Sequence, residues 1–284
     1  MVLRYATQLN HEIERFRDGA WESSPDSLAI EEPLELRLAW RAAGRAHREP
    51  ISITMRTPGR DFELAAGFLY AESIISGASD IDDIGYCRDV ESEEERCNTV
   101  LVRLRRGLEP ALDRQRRNFT TTSACGVCGK ASLEALANDG CHILPLGTNV
   151  RPDTLVRLPA TLRAAQRGFA ATGGVHAAGL FDPSGSLVAL QEDVGRHNAL
   201  DKLVGEQLLA GKLDLLAGMV VVLSGRASYE LMQKALRARI PIVAAVGAPS
   251  SLAVDIARAY NMTLAGFLKP GSFNVYAGRE RIHD

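Results

Sequence analysis

Two thiols three residues apart are the chemically pointed feature of this chain. The stretch Thr-Thr-Ser-Ala-Cys-Gly-Val-Cys-Gly occupies positions 121–129 and runs into the helical sequence KASLEALAND. Cys125 falls just before that helix and Cys128 near its first turn. A helix start exposes unpaired N–H groups with partial positive charge, and Lys130 adds a full charge nearby. Both favour thiolate, the species that attacks sulfur or binds metal. Gly126 and Gly129 leave the sulfurs uncovered.

The pair alone leaves three chemistries open. It could be half of a structural zinc site, with Cys141 and either His142 or His176 as further ligands, although no second C-x-x-C or H-x3-H exists. It could be a dithiol redox pair, although its flanks are rich in Ser, Thr and Gly rather than belonging to a first β-α-β unit. It could carry sulfur covalently, the second thiol stabilising or resolving a persulfide. Cys87, Cys97 and Cys141 stand singly among apolar neighbours and read as plain thiols.

A second constellation lies at three strand ends. GMVVVL leads to Ser224-Gly225-Arg226-Ala227-Ser228, IPIVAAV to Gly247-Ala248-Pro249-Ser250-Ser251, and MTLAGFL to Lys269-Pro270-Gly271-Ser272. In an open α/β sheet, ligands sit beyond the carboxyl ends of the strands. Glycines admit close approach, serines and free N–H groups meet phosphate oxygens, and Arg226 and Lys269 supply charge. The three ends together point to an anionic, nucleotide-sized ligand. No G-x-G-x-x-G and no Walker loop is present, so neither a dinucleotide dehydrogenase nor an NTPase is supported. The cluster Gln191–Asn198 divides evenly between structural and functional roles, with Asp193 a plausible helix cap. His176, inside an apolar strand, reads as a core histidine.

The elements that must position these groups emerge from periodicity. Residues 1–30 are polar and mixed, a loosely ordered leader without a secretory h-region. Leu34, Leu36 and Leu38 alternate, as do Ile51, Ile53 and Met55, predicting strands with those residues inward. Asp61 can cap a helix through FELAAGFLYAESII, and residues 100–104 form another strand. Residues 31–118 thus make a smaller, mainly antiparallel β subdomain, and residues 119–171 a mobile thiol-bearing loop with helices. Six arginines between Arg103 and Arg117 read as a solvated, mobile surface, a docking site for an acidic partner or anion being the minor reading. From Thr172 to Asp284 strands alternate with helices: a strand pair about Asp182–Gly185, a helix from near Asp193 to about Leu209, then β-α-β-α-β. That predicts an α/β fold, α+β over the whole chain, with a mixed sheet covered by helices on both faces.

Composition is that of an ordinary globular protein, with 46% hydrophobic and 24% charged residues and a net charge of -2. No global field points toward nucleic acid or an anionic membrane. No stretch reaches the 18 or so apolar residues of a membrane helix, so the chain is expected in the cytoplasm.

The segments SACGVCGKASLEAL, GGVHAAGLF, QEDVGRHNALDKLVG, LSGRASYELMQKA and GFLKPGSFNVYAG resemble the FdhD family of formate dehydrogenase accessory sulfurtransferases. The resemblance runs from about Glu31 to Gly278. It implies a cytidine-deaminase-like fold. It also implies sulfur transfer from a cysteine desulfurase to Mo-bis(molybdopterin guanine dinucleotide), molybdenum or tungsten, before insertion into the formate dehydrogenase catalytic subunit. The family's persulfide cysteines fall on Cys125 and Cys128. Its guanine nucleotide site, which GDP can occupy, falls on Phe267, Leu268, Lys269, Pro270, Gly271 and Ser272, with Ser224, Gly225, Arg226 and Ser228. A homodimer is implied, and no resident metal. Deamination is not expected: a zinc deaminase needs H-x-E before P-C-x-x-C, and here Ala124 replaces the proline and no H-x-E precedes the pair. The rival reading is a non-catalytic cofactor-binding chaperone whose cysteine pair grips zinc.

Overall fold

The computed structural model describes residues 6–90, 92, 96–112, 136 and 140–283. Cys125, Cys128 and the rest of residues 113–135 lie outside them.

Residues 8–29, expected as a loose leader, form instead an antiparallel hairpin of β1 (Gln8–Arg17) and β2 (Ala20–Ala29). The turn at Asp18-Gly19 has positive φ at both residues, which lets the two strands return on each other. The polar composition that suggested a leader belongs to a ribbon exposed along most of its length.

Next in the chain is a four-stranded sheet, ordered β4-β3-β6-β5, from β3 (Glu32–Ala42), β4 (Arg45–Arg56), β5 (Ile81–Tyr86) and β6 (Thr99–Leu104). The β3–β6 pair is parallel and the other two pairs are antiparallel. Leu34, Leu36 and Leu38 face inward as their alternation requires. Ile53 and Met55 do not: both are exposed, although Ile51 is buried. A bulge explains the difference. Leu36 pairs with Ser52 and Arg37 with Pro50, so the extra residue, Ile51, inverts the facing of the residues beyond it.

Helix α1 (Asp61–Ala71) covers the inner face of this sheet, and Asp61 is its first residue rather than its cap. The buried Asp61 carboxylate binds the Arg56 guanidinium at 3.1 Å and accepts from Tyr86 Oη.

The larger sheet runs β12-β11-β10-β9-β7-β8. Its strands are β7 (His176–Phe181), β8 (Leu187–Asp193), β9 (Val220–Leu223), β10 (Ile242–Ala245), β11 (Thr263–Lys269) and β12 (Ser272–Ala277). The central β9, β10 and β11 are parallel, and β7, β8 and β12 close the edges antiparallel. Helices cover both faces, as the uninterrupted apolar run Val220–Leu223 demands. Val221, Leu223 and Val243 pack in one core with α5 (Arg196–Leu209), α6 (Tyr229–Arg237) and α7 (Ser251–Ala259). Val220, Val222 and Ile242 pack in a second core with α2 (Pro152–Leu155) and α3 (Leu158–Ala165), through Leu155, Leu158 and Leu162. A short α4 (Arg167–Thr172) precedes β7.

The two halves meet where α1 crosses α5. A Cβ at Gly67 would lie 1.9 Å from the Asp201 carbonyl oxygen, and one at Gly205 1.8 Å from that of Glu63. The helix backbones therefore touch. Among the described residues no helix is long and apolar enough to cross a membrane.

Candidate functional site

The carboxyl ends of β9, β10 and β11 converge with the start of β7 and the end of β8, because β7 runs antiparallel to β9. Ser224 leaves β9 held on both sides: its N–H donates to Ala177 O at 3.0 Å and its Oγ accepts from Ala177 N at 2.8 Å. Gly247 N donates to Gly225 O at 2.9 Å, and Phe267 N to Gly247 O at 3.1 Å. Ala227 N reaches Ala248 O at 3.2 Å, and Ser250 N reaches Ala227 O at 2.9 Å.

This ladder corrects one expectation. The N–H groups of Ala227, Gly247, Ser250 and Phe267 already donate to backbone carbonyls, so they are not free to meet phosphate oxygens. Ser250 Oγ caps α7, accepting from Ala253 N. Gly247 is required by the ladder itself, since a Cβ there would stand 3.0 Å from the Gly225 carbonyl. Polar side chains, rather than a cradle of amides, remain for an anion: Ser224, Ser228, Arg226 and Lys269.

Beside the ladder opens a cavity of about 610 Å³, within the range of small-molecule sites. Of the residues expected to bind ligand, Ser224, Leu268, Lys269 and Pro270 line it. Gly225 touches its wall, a Cβ there meeting the His176 ring at 3.3 Å. Phe267, Arg226, Ser228, Gly271 and Ser272 stand outside the lining. Phe267 has φ 52 at a bulge of β11, and its ring is 47% exposed. Left-handed backbone at a bulky residue is strained, a condition found at ligand clamps. Gly271, with φ 79, makes the tight turn into β12.

The remaining wall comes from α3, α4 and the start of β7, none of which stands out as a site in the sequence. The Arg163 guanidinium stacks 3.5 Å above the centre of the Phe169 ring. Gln166, almost fully buried, lines the cavity with no hydrogen-bond partner for its Nε2 among the described residues. His176 is a half-buried wall residue, not a core histidine. The signal that could have found it is its place directly after Gly173-Gly174 at a strand entrance.

Burial pushes the His176 pKa below the ordinary imidazole value, and the nearby Arg196 and His197 charges push the same way. At neutral pH this residue offers a hydrogen bond and no charge. As pH falls through the unfolded imidazole value, the unfolded chain takes a proton that the folded chain refuses. Stability is therefore expected to fall as pH drops below about 6.5, the ordinary imidazole value. Thermal melts of His176→Gln across this range should show a shallower acid-side decline than the unsubstituted protein.

The Gln191–Asn198 cluster resolves mainly into structure. Glu192 accepts from Gly168 N and Phe169 N, fixing the start of α4. Gln191 donates to Glu206 at 2.8 Å. Asp193 does not cap α5, whose cap position is Gly195. It is a buried hub, bonded to Lys202 Nζ at 2.7 Å, Gly195 N at 2.8 Å, Asn198 Nδ2 at 3.1 Å and Thr57 N at 3.2 Å. Arg196 and His197 lie near enough to His176 for their charges to act on it. His197 Nε2 lies 2.9 Å from Glu230 and 3.3 Å from Ser228 Oγ. Both contacts use one nitrogen, so this is not a nucleophile relay, in which the carboxylate holds the opposite nitrogen. The His197 hydrogen bond holds the Glu230 carboxyl below its usual range.

Among the described residues no three His, Cys, Asp or Glu side chains converge as a metal site, and Cys141 is buried.

Fold and site together define a mixed α/β protein with a ligand-sized cavity at the carboxyl edge of a partly parallel sheet. The chain belongs to the FdhD/NarQ family, whose model matches residues 29–283. It is 50% identical over 273 residues to the sulfur carrier protein FdhD of Streptomyces avermitilis, covering 95% of this chain and 94% of that one. It is 47% identical to the sulfur carrier protein FdhD of Mycobacterium tuberculosis (91% and 92% covered). For the protein of the same name in Sulfolobus acidocaldarius the figure is 39% (95% and 96% covered). In fold it is similar to the crystal structure of a candidate formate dehydrogenase accessory protein from Desulfotalea psychrophila. That likeness has a TM-score of 0.73 at 24% identity and covers 98% of this chain and 100% of the other.

Proposed function

We propose that the chain is a cytoplasmic sulfurtransferase that carries sulfur as a persulfide on Cys125 or Cys128. A cysteine desulfurase is the donor. Attack by the thiolate on the donor's outer sulfur forms a new S–S bond and breaks the donor's, so the donor cysteine leaves as thiolate. The cargo that receives the sulfur is Mo-bis(molybdopterin guanine dinucleotide), destined for the formate dehydrogenase catalytic subunit. The protein works as a homodimer. Its frame is cytidine-deaminase-like, a reading supported by the parallel β9–β10–β11 centre with helices on both faces.

The observation that carries this reading is the cavity where Ser224, Lys269, Pro270 and His176 meet. A guanine nucleotide end, which GDP can mimic, fits such a pocket: an apolar wall for the base and hydroxyl and ammonium groups for the phosphates. The exposed, strained Phe267 beside it offers a ring for stacking. Arg226 and Ser228 extend the polar rim.

Incubation with a cysteine desulfurase and cysteine should add mass in steps of about 32 Da that reductant removes, as persulfide chemistry requires. Cys125→Ala/Cys128→Ala should load nothing while binding GDP as before. Stoichiometric zinc on the pair with no sulfur loading would defeat the proposal in favour of a cofactor chaperone.

A further inference from the structure

Of the arginine run, Arg103 and Arg106 fall within the described residues as part of a built site rather than a featureless solvated surface. At the end of the four-stranded sheet, Arg103 and Arg106 line a second cavity of about 520 Å³ together with Arg41 and His47 from the β3–β4 hairpin. Trp40 and His47 are cross-strand partners, stacked with ring centres 5.1 Å apart and planes 12° off parallel. The lining holds three guanidiniums against one carboxylate, Asp82. Neighbouring cations are neutralised: Arg103 pairs with Asp83, Arg105 with Asp80 at 3.0 Å and Arg48 with Asp89 at 3.2 Å. Arg41 and Arg106 are both exposed and have no ion-pair partner among the described residues. In a chain of net charge -2, this is a local positive site with an aromatic platform.

We infer that this cavity docks an acidic, extended segment of the protein that donates the sulfur. The inference rests on the sulfur-carrier reading. No helix N-terminus among the described residues opens onto the cavity, so a phosphate would lack the converging N–H groups that such anions favour. Two guanidiniums without a described ion-pair partner, Arg41 on β3 and Arg106 in the turn after β6, share the lining with a half-buried indole, and suit carboxylates spaced along a peptide with an apolar residue between them. The run continues in sequence toward Cys125, so a donor held here is held close along the chain to the thiols it must reach.

The test compares Arg41→Glu/Arg106→Glu with Arg41→Lys/Arg106→Lys in the full chain, each first shown to melt like the unsubstituted protein. Sulfur loading is read by intact mass as cysteine desulfurase concentration rises. Charge reversal should raise the donor concentration for half-maximal loading about tenfold, with the plateau unchanged, and high salt should mimic it. The lysine variant should stay near the unsubstituted protein. A small-molecule persulfide should load all three equally. Unchanged donor dependence, or lost GDP binding instead, overturns the docking site. Absence of loading from every donor overturns the sulfur-carrier reading itself.

Discussion

Gly205→Ala is expected to cost the protein most of its stability, although alanine is the better helix former by about 1 kcal/mol. Propensity and packing oppose each other here, and the distances decide the outcome. The new methyl would lie 1.8 Å from the Glu63 carbonyl oxygen, against backbone that cannot rotate away. Helices α1 and α5 must then separate by more than an ångström along a seam that also buries Leu64 and Leu203. Gly67→Ala meets the same obstacle from the other helix, 1.9 Å from the Asp201 carbonyl oxygen. A loss of about 4 kcal/mol or more is expected from either change, enough to unfold many domains. Urea denaturation checks it, with Gly77→Ala as control, since nothing lies within 4 Å of a Cβ there. A Gly205→Ala protein melting within a few degrees of the original would show that the crossing is looser than described.

Asp193→Ala is the second change with a large expected effect. Asp193 is fully buried and Lys202 nearly so, their charged atoms 2.7 Å apart. Lys202 also donates to Thr57 O at 2.8 Å. Removing the carboxylate strands an ammonium in the core and frees the N–H groups of Thr57 and Gly195. Breaking one side of such a pair costs about 3 to 5 kcal/mol. Asp193→Ala/Lys202→Met removes the stranded charge and should recover part of the loss. That recovery, read as a shift in the urea midpoint, separates the charge effect from lost packing. A double variant no more stable than the single one would contradict it.

The alternation of strands and helices after Thr172 was legible because each element carries its own period. Val220–Leu223 is apolar throughout and buried on both faces, and Ser228 and Ser250 stand at helix starts as cap residues do. The facing of Ile53 and Met55 was not legible, because a bulge at Ile51 leaves no mark on a hydrophobic pattern. The cavity was half legible. Ser224, Lys269 and Pro270 announce themselves at strand ends, whereas Arg163, Gln166 and Phe169 arrive from α3, α4 and the link between them, over fifty residues earlier in the chain than Ser224. Their convergence depends on how α3 and α4 pack on the sheet, which no local spacing encodes. The amide groups of the strand exits misled for a related reason. Glycine and serine at a strand end look alike whether they await a ligand or bind the next loop.

That lacing of the three exits has a bearing on how the adjoining cavity would tell one ligand from another. Loops tied to one another by main-chain bonds have little slack to mould themselves around a guest, so discrimination falls to the side chains mounted on them. Such a frame works like a fixed socket with exchangeable pins. Changes at the lining residues Lys269 or His176 can therefore retune what the socket accepts while leaving the sheet that supports it undisturbed.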